Sequence, residues 1–218
     1  MSRRLVLFAK EPVAGAVKTR LAAGVGGEMA LRLYQAFLED LSRELRSAAW
    51  EAVLAHGEPE PGPFLRQRFA GWSARPQGDG NLGERLAASF EAAFGEGISA
   101  QVVVGSDVPT LTGDEVTAAF ERLEGGADVV AAPSPDGGYS LIGLARGAPA
   151  RQLFAGVRWS SEHALSDTWE AAGRAPLRAE LLPELPDVDV AEDLAALRRA
   201  LARRPGLAPA TRRILEGS

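Results

Sequence analysis

Short apolar runs that alternate with segments of helical period predict an α/β fold, a three-layer Rossmann-like sheet, mixed but mostly parallel, with helices on both faces. Nearly continuous apolar runs, of which Gln101 to Gly105 is the clearest, belong to strands covered on both sides. The composition agrees. With 46% hydrophobic and 24% charged residues, 218 residues describe a soluble globular chain with a sizeable core, expected as one domain over 1–218.

Leu5 to Ala9 reads as the first strand, followed by a loop with Pro12 and Gly15. From about Glu28, Leu31, Leu33, Tyr34, Phe37, Leu38, Leu41 and Leu45 keep helical spacing. Trp50 to His56 is expected as the second strand, with a proline-rich surface loop from His56 to Pro63. A helix over Leu82 to Phe94 and the buried strand at Gln101 to Gly105 come next, then a helix over Thr112 to Leu123 that Thr112 and Glu115 open as a capping box. Two strands, Asp128 to Ala132 and Tyr139 to Leu144, flank an Asp-Gly-Gly turn whose return makes one strand antiparallel. Leu153 to Trp169 reads as mostly helical and Leu177 to Leu182 as extended. Ala191 to Leu201 is expected as the last helix, closed by Pro205 and Gly206.

Charge and residue types exclude several functions. The 24 basic and 29 acidic residues give a net charge of −5, which offers no electrostatic case for a nucleic-acid partner. The absence of cysteine rules out a disulfide framework, a thiolate metal site and a cysteine nucleophile. The two histidines, His56 and His163, lie far apart in sequence and make neither a zinc site nor a recognisable serine triad. No run has the length of a membrane span or a signal-peptide core, so the cytoplasm is the expected location.

In an open α/β sheet, ligands gather beyond the carboxyl ends of the strands. The loop after the first strand carries Ala9, Lys10, Gly15, Lys18 and Arg20. Its Pro12 and Val17 stand where a Walker A loop needs glycine, and Gly24-Val25-Gly26 with Met29 is no dinucleotide fingerprint. What remains is three cations able to surround a diphosphate, or else a solvated charged loop. Of the 24 basic residues only Lys10 and Lys18 are lysine, both in this loop, where a compact ammonium suits a phosphate.

Asp107 ends the apolar strand in Gly105-Ser106-Asp107, where a carboxylate can hold Mg²⁺ or Mn²⁺; a turn bond to its own backbone is the plainer use. Asp187 and Asp189 precede the last helix and can complete such a site, although Asp189 with Glu192 also fits a helix cap. Asp136, Gly137, Gly138 and Tyr139 form a turn suited to close backbone approach, with Asp136 a candidate acceptor base; a plain hairpin fits equally. Gly78, Asn81 and Gly83 lie in a glycine-rich helix start, where Asn81 either caps the helix or contacts a base or ribose. Trp159 is a candidate stacking residue or a core side chain.

Taken together, Phe8 to Leu21, Gln77 to Arg85, Gly105 to Pro109, Asp136 to Tyr139 and Asp187 to Leu194 resemble a bacterial glycosyltransferase-like family of the DUF2064 type, associated with radical-SAM and arsenosugar biosynthesis clusters. That family is similar to nucleotide-diphospho-sugar transferases of the glycosyltransferase A fold. It is more distantly similar to 2-phospho-lactate guanylyltransferase and the molybdenum-cofactor nucleotidyltransferases. The resemblance implies that Lys10, Lys18 and Arg20 face phosphates, that Asp107 and Asp189 hold the divalent cation, and that Gly78 to Gly83 lie near the nucleotide. It implies too that Asp136 to Tyr139 border the acceptor.

The expected activity is metal-assisted glycosyl transfer from a nucleotide-diphospho-sugar to a small-molecule acceptor. Asp107, Asp136 and Lys18 are the expected catalytic residues, with Mg²⁺ or Mn²⁺ on Asp107, Asp187 and Asp189. Nucleotidyl transfer with release of pyrophosphate is the alternative, and a non-catalytic nucleotide-binding module the third.

Overall fold

The computed structural model of the chain describes residues 1–57 and 59–217; Glu58, in the proline-rich loop, and Ser218 lie outside the described residues. Its seven-stranded sheet is built from β1 (Arg3–Ala9), β2 (Glu51–His56), β3 (Ser73–Pro76), β4 (Ala100–Gly105), β5 (Val129–Pro133), β6 (Tyr139–Ala145) and β7 (Ala179–Leu181). The strand order is β3-β2-β1-β4-β6-β5-β7. β6 runs antiparallel to both β4 and β5, and the remaining pairings are parallel. The mostly parallel sheet and its one returning strand match the expectation.

Side chains alternate across the sheet. Leu5, Leu7 and Ala9 of β1 enter a core shared with α2 (Gly27–Glu44) and α5 (Gly113–Glu124), where Phe37, Leu41 and Phe120 are fully buried. Val6 points the other way, toward α4 (Leu82–Gly95), α6 (Ala150–Phe154) and α7 (Ala164–Arg174), and packs in the same core as Phe90 and Phe154. Full burial of a Leu or Phe side chain contributes about 1.5–3 kcal/mol, so helices on both faces are what keep this sheet folded. α8 (Asp193–Arg203) joins the first core through Leu194, Leu197 and Leu201.

Four elements lack the sequence signal that found the others. α1 (Thr19–Val25) buries only Leu21, and β3 is mostly exposed without strict alternation, so neither carries an apolar period. α3 (Pro63–Arg68) is capped from a distance, by the Glu11 carboxylate accepting from the Phe64 and Leu65 N–H groups at 2.8 and 3.2 Å. α9 (Pro209–Glu216) follows the helix expected to be last; buried Asp40 receives its Ala210 and Thr211 N–H groups at 2.9 and 2.8 Å. The single helix expected over Leu153 to Trp169 is two, α6 and α7, separated by a segment with Gly156 and Ser160 at positive φ.

The Thr112–Glu115 capping box is present at α5. The cap expected from Asp189 and Glu192 is not made: α8 starts without a side-chain cap, and its first residue, Asp193, reaches back so that its Oδ2 accepts from the N–H groups of Asp189 (2.7 Å) and Val190 (2.9 Å) ahead of the helix.

At the opposite end of β1 from its loop, the buried Arg4 guanidinium bridges Glu51 at 2.8 Å and Glu96 at 2.7 Å. Arg75 and Arg4, in that order of effect, hold the Glu96 carboxyl at about 2, below the usual carboxylate range. A carboxyl with a depressed folded pKa stabilises above its unfolded value and loses that contribution as pH falls through the folded one. Glu96→Gln is therefore expected to lower stability at pH 7. The gap from wild type should narrow between about pH 4.5 and 2 in urea melts taken across that range.

Candidate active site

β1 pairs with β2 on one side and β4 on the other, so the chain leaves it in opposite directions and the carboxyl ends of β1 and β4 bound a crevice. A cleft of about 490 Å³ opens there, within the range of small-molecule sites. Ala9 and Lys10 contribute from β1 and its loop, Gly105 to Asp107 from the end of β4, and Gln77 and Arg85 from β3's loop and α4.

Tyr34 of α2 ties the two strand ends together beneath the cleft. Its hydroxyl accepts from the Lys10 N–H at 3.0 Å, reaches the Lys10 carbonyl at 3.2 Å and meets Ser106 Oγ at 3.1 Å. Burial pushes the phenol up to about 12 against the opposing effect of those bonds, so it stays a neutral hydroxyl. Lys10 itself is exposed at the rim.

Lys18 occupies the centre of a second junction. Its side chain is 4% exposed, and its ammonium lies 2.8 Å from Asp107 Oδ1, 3.3 Å from Asp189 Oδ1 and 2.7 Å from the Val188 carbonyl. The Val188 N–H donates to the Asp107 carbonyl at 2.9 Å, pinning the two loops backbone to backbone. Lys18 takes φ 50° and ψ 40°, a left-handed conformation that costs a non-glycine residue roughly 1–3 kcal/mol. The ammonium's three acceptors must offset that strain. Arg20 lies outside, 72% exposed, with one donor on Asp189 Oδ2 at 2.8 Å.

The carboxylates expected to hold a divalent ion are thus brought together, but the position between Asp107 and Asp189 is filled by Lys18. Among the described residues no three acidic or histidine side chains converge as a metal site. These residues, as arranged, do not fit a divalent cation with its six or more oxygen ligands. Lys18, expected against a phosphate, instead donates hydrogen bonds to the Val188 carbonyl and Asp189 Oδ1 and forms an ion pair with Asp107. Asp187 stands nearby and is pushed up to about 6, by burial first and then by the charges of Asp136, Asp189 and Asp107.

A bacterial family described as "Uncharacterized protein conserved in bacteria (DUF2064)" matches residues 40–161, more than half of the chain. The chain belongs to that family. Among solved structures, a Desulfovibrio desulfuricans G20 protein provisionally described as a nucleotide-diphospho-sugar transferase is 29% identical, with a TM-score of 0.92 over 100% of this chain and 95% of that one. A cytidylyltransferase from Leptospira borgpetersenii serovar Hardjo-bovis is 13% identical, TM-score 0.61, over 99% of this chain and 93% of that one. CMP:2-keto-3-deoxy-manno-octonic acid synthetase, solved with CTP, is 14% identical, TM-score 0.52, over 93% and 99%. At those identities the last two share the fold.

The mouse protein named Zinc finger protein 367 is 33% identical over 114 residues, 50% of this chain and 33% of that protein. The chain therefore spans about a third of that relative's length. It has no cysteine to build a zinc finger.

The glycine-rich segment divides between the cleft and the scaffold. Gln77 Nε2 donates to the carbonyls of Ala55 at 2.9 Å and Ala9 at 3.3 Å, its Oε1 receives Arg85 Nη1 at 3.4 Å, and both side chains line the cleft. Asn81 is a helix cap, its Oδ1 accepting from the Glu84 N–H at 3.1 Å. Gly83 is not at the cleft: a Cβ there would lie 2.6 Å from Trp159 Nε1 and 2.9 Å from the Phe154 carbonyl oxygen. Gly15 and Gly78 do not line it either, and Gly78 borders a separate 180 Å³ cavity beside α4.

The turn expected at the acceptor is partly scaffold too. Asp136 Oδ1 accepts from the Gly138 N–H at 3.0 Å and from Ser134 Oγ, leaving its second oxygen for other partners. A Cβ on Gly137 would run into the Glu162 backbone, so its close approach is to the segment before α7. Tyr139 turns its hydroxyl to Thr168 at 3.4 Å, and Trp159 packs edge-on against Tyr139 with centroids 6.2 Å apart. His163 caps α7 by position, with its N–H on Ser161 Oγ at 3.2 Å.

Tyr34, Ser106, Gln77 and Arg85 carry cleft geometry without having been assigned roles from the sequence. Tyr34 sits within an apolar helical stripe, where periodicity reads it as core.

Two outcomes follow from these contacts. Gly83→Ala is expected to destabilise by about 1–2 kcal/mol in denaturant melts, because crowding against Trp159 outweighs the helix-propensity gain. Asp187 has a folded pKa above its unfolded value, so ionising it costs stability as pH rises from about 4 to about 6. Asp187→Asn should raise the melting temperature at pH 8 and leave it nearly unchanged at pH 4.

Proposed function

We propose that this chain is a transferase that binds a nucleotide-diphospho-sugar in the β1–β4 cleft and passes the glycosyl group to a small-molecule acceptor. The observation that carries this reading is the cleft itself, set at the switch point of the sheet with Lys10, Arg20 and Arg85 on its lining. The full-length likeness to the Desulfovibrio protein supports it.

In such a transfer an acceptor hydroxyl oxygen bonds to the anomeric carbon while the bond from that carbon to the diphosphate oxygen breaks. Negative charge then gathers on the departing diphosphate. Fixed cations aimed at developing charge lower the barrier because they need not reorganise. Arg20 suits this task, since four of its five N–H donors remain beyond its bond to Asp189. Asp136, with one carboxylate oxygen fixed in its turn, is the base assigned to the acceptor's proton. Lys18 acts on the ligand only through the carboxylates it positions.

A thermal-shift panel of UDP, GDP, CDP and ADP and their triphosphates tests the reading. One nucleoside diphosphate at about a hundred times its Kd should add roughly 2.7 kcal/mol, or roughly 5–10 °C for a chain of this size. Arg20→Ala should weaken that ligand about tenfold, or about 1.4 kcal/mol. Release of pyrophosphate from one triphosphate and an acceptor would instead assign nucleotidyl transfer. No shift with any nucleotide would sink the proposal.

A further inference from the structure

Lys18 is the only lysine of the chain with a buried ammonium, and its surroundings are those of a bound cation. Three oxygens, Asp107 Oδ1, Asp189 Oδ1 and the Val188 carbonyl, converge on the nitrogen at 2.7–3.3 Å. Two of these contacts are hydrogen bonds, to Val188 and Asp189, and the third is an ion pair with Asp107, so the ammonium has an oxygen partner on each side. A planar guanidinium cannot present three donors to a tripod around one point, which accounts for lysine here in a chain whose other basic residues are, Lys10 apart, all arginine.

The second half of the tripod is equally fixed. Asp189 is held by Arg20 on its other oxygen, its N–H is bonded to Asp193, and the neighbouring Val188 N–H reaches the Asp107 carbonyl. A divalent ion would need the same two carboxylates and several further oxygens. To enter, it would have to expel the ammonium from its partners while the lysine backbone stays in its left-handed conformation, leaving a buried charge without compensation.

We propose that the Lys18 ammonium is a resident, covalently tethered cation that takes the place of a divalent ion between Asp107 and Asp189. The cleft then binds its ligand without a divalent metal. The occupancy of the carboxylate pair stands on the geometry alone. The statement about ligand binding rests on the function proposed above.

Mn²⁺ binding to the nucleotide-free protein, followed by electron paramagnetic resonance, tests the first part whatever the ligand proves to be. Wild type and Asp107→Asn should give the same Mn²⁺ titration. Lys18→Ala should gain one Mn²⁺ site, and the double variant Lys18→Ala with Asp107→Asn should lose it. A wild-type Mn²⁺ site abolished by Asp107→Asn would overturn the proposal. So would a Lys18→Ala protein that folds and gains no site, because the carboxylates would then not form a cation position. If Lys18→Ala does not fold, Lys18→Met keeps the length of the side chain, and the comparison of wild type with Asp107→Asn needs no Lys18 variant.

For the second part, the thermal shift given by the nucleoside diphosphate that binds should be the same in EDTA and in Mn²⁺. Loss of that shift in EDTA, restored by Mn²⁺, would overturn it. Failure of every nucleotide to bind overturns the function proposed above while the Mn²⁺ titration still decides the occupancy of the carboxylate pair.

Discussion

Because β1 forms parallel pairs with both β2 and β4, its carboxyl end lies at the point where the chain's winding reverses, and nothing in the sheet covers that end. Backbone hydrogen bonding within the sheet fixes the register, Phe8 beside Gly105 and Ala9 beside His56, but stops where the loops begin. The loops are then held by side chains. Tyr34 binds the β1 loop to the β4 loop from below, and Lys18 binds the β4 loop to the 187–189 segment from the side. The cleft exists as a defined volume because these two residues close its floor and one wall.

The periodic part of this architecture is legible in the sequence because burial on one face leaves a repeating pattern. The strands of the central sheet, α2, α4 and α5 all bury several apolar residues and were found within a few positions. α1, α3 and β3 owe their conformation to neighbours, as Glu11 caps α3 from fifty residues away in sequence, and no local pattern records that. The site was legible in its members more than in its connections. Lys18, Asp107 and Asp189 could be chosen from residue type and strand ends. That the first would neutralise the other two depends on a fold that joins residues about 170 positions apart.

Glycine is ambiguous in a different way. A glycine-rich helix start and an Asp-Gly-Gly turn are natural signs of a backbone that approaches a ligand, yet at Gly83 and Gly137 the close neighbour is Trp159 or the Glu162 backbone. Steric need for a missing Cβ is the same whether the crowding atom belongs to ligand or protein, so sequence cannot separate the two. The distinction lies in what the fold places opposite, and here the 155–163 segment between α6 and α7 fills that space.

The cleft is electrically divided. Lys10, Arg20 and Arg85 stand on its lining opposite Asp107 and Asp189, and the charges of Asp136, Asp189 and Asp107 all oppose ionisation of the neighbouring Asp187. Like charges gathered this closely are costly unless each finds a counter-charge. Lys18 supplies one to two of the four carboxylates at once, and Arg20 another to Asp189. An anionic ligand would be repelled by the acidic wall and held by the cationic rim, which fixes its orientation before any shape complementarity acts. Under the proposed function, the diphosphate belongs at the rim and the acceptor hydroxyl at the carboxylates. Without Lys18 the wall's charge would oppose both binding and folding.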